Sequence, residues 1–126
     1  MQLTEGQIEL LRGKNFGAVA TLKEDGTPQT SIVWVDTDGE HVLFNTKGRR
    51  AKGKNLRRDP RISVTVFDAQ DPYRYFEVEG RAVLETEGAV DHMNQLARKY
   101  TGKDWDDVGD RVVVKVEPQR IFNYQV

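Results

Sequence analysis

The chain contains no cysteine. Disulfides, thiolate catalysis, zinc ribbons and iron–sulfur clusters are therefore excluded. Its two histidines, His41 and His92, lie far apart in sequence without ligand-like neighbours, so no metal site is expected. Serine is almost as scarce. Ser31 and Ser63 are the available serine nucleophiles, and neither sits in the strand–turn–helix elbow that activates one. No run of about eighteen apolar residues occurs, and Met1-Gln2-Leu3-Thr4-Glu5 is not a basic start followed by an apolar stretch. Neither a membrane span nor a secretion signal is expected, and the cytoplasm is the expected compartment. A G-x-G-x-x-G fingerprint, a repeated strand–helix–strand alternation and internal repeats are also missing, which argues against a doubly wound nucleotide fold.

With 126 residues, 37% hydrophobic and 31% charged, residues 1–126 are expected to form one small domain around a single core. Thr4 and Gln7 make a capping box, and Leu3 and Ile8 a hydrophobic staple, so a helix of about two turns starts there. Strand patterns follow over 16–22, 29–35 and 41–46, separated by the turn signals Asp25-Gly26 and Asp38-Gly39. Period-two alternation marks further strands over 61–67 and 73–85, with Gly80 at a bend or bulge, and a last strand covers 111–123. Between these two, Val90, Met93, Leu96, Ala97 and Tyr100 fall at helical spacing before a C-cap at Gly102. Six strands with short helices in the crossovers predict a mainly β fold, a small six-stranded antiparallel barrel.

The segment Thr46 to Arg61 concentrates eight of the nineteen lysines and arginines beside a single acid, Asp59, although the net charge is −1. Such density is self-repelling and is most simply relieved by a bound polyanion. The segment leaves a strand, passes Gly48 and enters a helix ended by Asp59-Pro60. Backbone N–H groups at that helix start can join Arg50 and Lys52 on one phosphate or carboxylate. The competing readings are a solvated helix face and a nucleic-acid surface. Against the latter stand the near-neutral total charge and the lack of aromatic residues within the run. Paired carboxylates such as Asp106-Asp107 lie in a short polar connection and read as solvated loop. Any enzymatic chemistry is then expected from a cofactor.

Gly26, Pro28 and Ser31 on the second strand, Phe44-Asn45-Thr46 closing the third, Gly48 to Lys52, and Asn55 to Arg61 resemble the pyridoxamine-phosphate-oxidase-like split β-barrel flavoproteins. Asp71 to Tyr75 and Val78 to Ala82 resemble the deazaflavin-dependent branch of that superfamily. The resemblance runs from about Leu3 to the end, and its strength lies in the order and spacing of short motifs. It implies a homodimer of split barrels with a flavin-like cofactor between subunits. By the same resemblance Ser31, Ile32 and Val33 line the ring, Asn45 and Thr46 lie beside the ring and ribityl chain, and Arg50 and Lys52 bind the phosphate. Lys47, Arg49 and Lys54 are further cofactor candidates. Asn55 either joins them or holds the segment in shape, and Tyr73 and Arg74 either reach the partner's cofactor or anchor a loop.

Two cofactors compete, the deazaflavin coenzyme F420 (an 8-hydroxy-5-deazaflavin) and FMN. The former carries a polyglutamate tail, so the cations in excess of one phosphate clamp favour F420. The resemblance then implies an oxidoreductase passing hydride from reduced F420 to an electron-poor double bond of a small organic substrate. No catalytic residue is assigned; Tyr73, Tyr75 and water are the candidate proton donors, and Trp34 either walls the ring or fills the barrel. The alternatives are an FMN enzyme and a non-catalytic carrier or sensor.

Overall fold

A computed structural model describes residues 1–126. Helix α1 (Glu5–Arg12) begins at the capping box, where Gln7 N donates to Thr4 Oγ1 at 3.2 Å and Thr4 N donates to Gln7 Oε1 at 2.9 Å. Seven strands follow rather than the expected six: β1 (Phe16–Leu22), β2 (Pro28–Trp34), β3 (Asp36–Thr37), β4 (Val42–Lys47), β5 (Arg61–Phe67), β6 (Tyr75–Glu85) and β7 (Arg111–Tyr124). Helix α2 (Ala51–Arg58) lies between β4 and β5, and α3 (Ala89–Thr101) between β6 and β7.

The extra strand has an identifiable cause. The sequence predicts one strand through Val35, then a hairpin to the next. Instead the chain breaks at Val35, whose backbone is bound by α3 rather than by a ladder neighbour. Val35 N donates to the Tyr100 hydroxyl at 3.1 Å, and Lys99 Nζ donates to Val35 O at 2.6 Å. A buried backbone group needs a partner, and side chains more than sixty residues away in sequence supply both. Asp36–Thr37 then pair with β4 instead of prolonging β2.

This break closes the barrel. The strand order is β2-β1-β5-β6-β7-β4-β3, antiparallel throughout, so β2 and β3 are the two ends of the sheet. Val35 alone separates them in sequence. The sheet must therefore curl until its ends meet. There β2 and β4 touch without sharing a ladder, leaving a split along one side. Curvature also comes from Gly80, where the β6–β7 register shifts. A Cβ there would lie 2.1 Å from the Glu117 carbonyl oxygen, so only glycine lets the strands approach this closely.

Inward residues at period two fill the barrel, among them Val19, Phe44, Val64, Val66, Phe76 and Val78, all fully buried. Leu10 and Leu11 of α1 and Leu56 of α2 join this core. Each such side chain contributes about 1.5–3 kcal/mol by leaving water. On the outside, Leu43, Ala89 and Val113 form a small second cluster where α3 packs on β4 and β7. Gly102, with φ 79°, ends α3 as expected.

Candidate functional site

The split between β2 and β4 opens into a cavity of about 230 Å³. β2 supplies Ile32, Val33 and Trp34, β4 supplies Asn45 and Thr46, and the start of α2 supplies Arg50 and Lys52. Met93 and Leu96 of α3, with Trp105 and Arg111, complete the lining. Apolar, polar and cationic groups occupy different parts of it.

The cationic end arises because β4 turns through Gly48 into α2. Arg50 is the N-cap residue in extended conformation, and no side chain caps the helix's first turn. The positive end of the helix dipole is thus left open beside Arg50, Lys52 and Arg111. Burial and the neighbouring Arg50 charge both push the Lys52 ammonium below its ordinary pKa, and the same two causes act on Arg111. Like charges crowded in this way gain when an anion enters. Lys47, by contrast, is already neutralised: its buried ammonium is bonded to the Asp107 carboxylate, which this hydrogen bond holds below the usual carboxylate range.

The connection after α3 is sewn onto this end. Arg111 Nη2 and Nε donate to the Asp107 carbonyl at 2.8 and 3.2 Å, Gly48 N donates to Asp110 O at 2.9 Å, and Arg49 N donates to Asp110 Oδ2 at 2.9 Å. Gly53 allows α2 to sit against this turn. An added Cβ would stand 2.6 Å from Gly48 O and 2.8 Å from Lys47 O.

The apolar end is built on Trp34. Its ring stacks on Tyr100 at 5.0 Å and 4°, and Trp105 meets it edge-on at 5.3 Å and 81°. Trp34 therefore both lines the cavity and packs. Burial pushes the Tyr100 hydroxyl up to about 12, and it donates to Asn15 O, so it has no acid–base role near neutral pH. Thr46 Oγ1 and Asn45 Oδ1 of the lining, and Ser31 Oγ next to it on β2, are buried without a hydrogen-bond partner. Each such atom costs about 1–3 kcal/mol until something pairs with it. An aromatic wall, unpaired polar atoms and a cation cluster in one cleft fit a ligand with a planar ring, a polar chain and a phosphate, which are the parts of a flavin or deazaflavin.

Of the residues expected from the sequence, Ile32, Val33, Asn45, Thr46, Arg50 and Lys52 meet in this cavity. Ser31 lies next to it on β2 with its hydroxyl unpaired. Lys47 is committed to Asp107, while Arg49 and Lys54 are exposed outside the lining. Asn55 is buried and structural: its Nδ2 donates to Thr21 Oγ1 at 3.0 Å and Gln29 Oε1 at 3.2 Å, and its Oδ1 accepts from Arg58 at 2.9 Å. Tyr73 is 81% exposed and Arg74 pairs with Asp68 at 3.4 Å, both on the β5–β6 loop and outside this cavity. Tyr75, the other candidate donor, stacks on Tyr124 at 4.4 Å. Met93, Leu96, Trp105 and Arg111 were not expected. Met93 and Leu96 carry only the helical spacing of core residues; Trp105 lies in the connection after α3 and Arg111 opens β7, and no local pattern directs either to the cavity.

The pyridoxamine 5'-phosphate oxidase family model matches residues 3–125. Among solved structures, an F420 reductase superposes with a TM-score of 0.83 at 31% identity, covering 95% of this chain and 98% of that one. The conserved hypothetical protein Rv2991 from Mycobacterium tuberculosis superposes at 0.78 with 26% identity, covering 97% and 84% of the two chains. General Stress Protein 26 from Bacillus anthracis str. Sterne shares the fold at 0.71 with 19% identity, covering 92% and 88%.

Proposed function

We propose, from the premise that this chain belongs to the pyridoxamine 5'-phosphate oxidase family, that it is an F420-dependent oxidoreductase acting on small electron-poor organic substrates. The observation that carries this reading is the graded cavity in the barrel split, cationic at Arg50, Lys52 and Arg111 and aromatic at Trp34 and Trp105. Likeness to an F420 reductase across nearly the whole chain supports the deazaflavin. So do the cations left over: Arg49, Lys54 and Arg57 are exposed and in no ion pair, and suit a polyanionic tail beyond the phosphate. FMN is the second reading, favoured by the family match.

The bound reduced deazaflavin supplies hydride to an electron-poor double bond. The chain's part is to hold and shield. Arg50, Lys52 and Arg111 bind the phosphate, helped by the uncapped start of α2. Thr46 and Asn45 pair with the polar chain or ring edge, and Ser31 is available beside them. Trp34, Trp105, Met93 and Leu96 exclude water from the apolar end. The titratable residues that this chain itself gives to the lining are the three cations, all engaged with the anion, so within one chain the accompanying proton comes from water.

A second copy of the chain completes the site in this reading. Ile32 lines the cavity yet is 63% exposed. It stands beside Ala18 on a sheet face that continues through Ala20, Ser63 and Thr65, short residues that let another sheet approach. Ala20→Arg is expected to abolish dimers in sedimentation and cofactor binding together. A monomer that binds fully would exclude the shared site.

The deciding test is fluorescence titration of the purified protein with F420 and FMN side by side at fixed salt. Tight F420 and weak FMN binding, followed by multiple turnovers with reduced F420, supports the oxidoreductase. The opposite preference places the chain with FMN proteins. Stoichiometric binding without turnover makes it a carrier, and failure of both cofactors removes the reading.

A further inference from the structure

His92 is half-buried on α3, outside the cavity lining, and has no part in the function proposed above. Its Nδ1 lies 3.1 Å from Asn45 Nδ2, which also donates to the Ala89 carbonyl at 2.9 Å. These contacts determine the state of both side chains. A carbonyl oxygen only accepts, so the Asn45 atom facing Ala89 is the amide nitrogen. Its second hydrogen points to His92 Nδ1, which must then offer a lone pair. With Asn45 oriented in this way His92 is neutral and carries its proton on Nε2, a buried atom that has no hydrogen-bond partner of its own. Both Asn45 hydrogens are engaged on the α3 side, and Oδ1 remains buried and unpaired on a residue that lines the cavity.

We propose that His92 is a positioning residue that sets the hydrogen-bonding polarity of the cavity. When neutral it holds the Asn45 amide with Oδ1 free to accept from the ligand; when protonated it turns the amide over, so that Nδ2 is presented instead. The turn follows from donor counting. An imidazolium has N–H on both ring nitrogens, so its Nδ1–H would confront the Asn45 NH2. Rotating the amide gives Nδ1–H an acceptor in Oδ1 and loses the bond to Ala89. The cavity group thereby changes from acceptor to donor. A ligand N–H or O–H that needs an acceptor at this point then loses its partner and faces a competing donor.

The surroundings keep the switch in its neutral setting at neutral pH. Leu43, Ala89 and Val113 form the apolar layer between α3 and the sheet. The charged groups facing His92 are Asp36 on β3, Lys115 on β7 and Lys99 on its own helix. Lys115 is paired with Glu85 of β6 at 3.3 Å, and Lys99 is held by the Leu11 and Val35 carbonyls. Burial is the main cause that lowers the His92 pKa from its ordinary 6.5; Asp36 opposes it, and Lys115 and Lys99 add to the lowering. The switch is thus thrown only on the acid side of 6.5.

The switch itself is a property of the free chain; its effect on ligand affinity rests on the cofactor reading above. The test therefore has two arms. In the first, the side-chain amide signals of Asn45 and the ring signals of His92 are followed by NMR in the cofactor-free protein from pH 8 to 4.5. The expected result is one shared midpoint below 6.5, with the Asn45 transition absent in His92→Asn, whose amide oxygen can accept from Asn45 at every pH. Asn45 signals that stay still while His92 titrates, or that move equally in His92→Asn, overturn the proposal. In the second arm, affinity for F420 and for FMN is measured across the same range. Wild type is expected to weaken at least tenfold through that midpoint for whichever cofactor binds, and His92→Asn to remain flat. Equal weakening in both proteins overturns the effect on the ligand. If neither cofactor binds at pH 7.5 the cofactor reading fails, and the first arm still decides the switch.

Discussion

Gly53→Ala is a substitution for which local propensity and tertiary geometry give opposite signs. Gly53 is within α2 and buried. Considered as a helical position alone, alanine is favoured over glycine by about 0.8–1 kcal/mol. In this fold the new methyl would lie 2.6 Å from Gly48 O, 2.8 Å from Lys47 O and 2.9 Å from Gly48 C, all backbone atoms that cannot rotate aside. Ordinary contact begins near 3.4 Å, so α2 must retreat by about 0.8 Å from the β4–α2 turn. Overpacking of this kind costs about 1–3 kcal/mol, so the net change is a loss of roughly 0–2 kcal/mol. Thermal melting should fall by up to about 8 °C for a domain of this size. The same retreat carries Arg50 and Lys52 away from Arg111, so affinity for the phosphorylated cofactor should drop about tenfold or more, since hydrogen bonds weaken steeply with misplacement. Differential scanning calorimetry and fluorescence titration read the two effects. A variant that melts higher than wild type and binds unchanged would refute the packing of α2 described above.

Arg50→Ala and Lys52→Ala should each weaken cofactor binding by about 1.5–3 kcal/mol, the scale of a charge-assisted hydrogen bond, with circular dichroism unchanged. Loss of the fold in either would make those residues structural. Gly80→Ala places a methyl 2.1 Å from the Glu117 carbonyl and should destabilise by at least the roughly 1–3 kcal/mol of overpacking, read as a lower denaturant midpoint. A midpoint that does not change would mean that the bulge tolerates a side chain. His92 also makes stability depend on pH. Its folded pKa lies below 6.5, so on acidification the unfolded chain takes up the proton first. Its contribution is complete above 6.5 and falls away as pH drops toward the folded value. His92→Asn should flatten that part of a stability-against-pH curve, and an unchanged slope there would show that His92 is not the group responsible.

Much of this protein could be read locally. The Thr4–Gln7 box, the alternation along β5 and β6, the Gly80 bulge and the Gly102 cap each depend on residues a few positions apart, and all appear where their patterns put them. The basic segment was legible for the same reason, since Arg50 and Lys52 sit in one turn of chain beside a helix start. Resemblance to a family further assigned Ile32, Val33, Asn45 and Thr46, and these do meet Arg50 and Lys52 at one cavity. The sequence thus determined most of the element types, the basic segment and the family. Tertiary structure alone decided where the barrel opens, because the break at Val35 is made by Lys99 and Tyr100 from the far end of α3. It also sorted the cations. Lys47 is spent on Asp107 and Arg58 on Asn55 and the Leu22 carbonyl, whereas Arg111, distant in sequence, joins the site. Charge density is a property of the chain, but which charges remain unpaired depends on the partners that folding brings within about 3 Å.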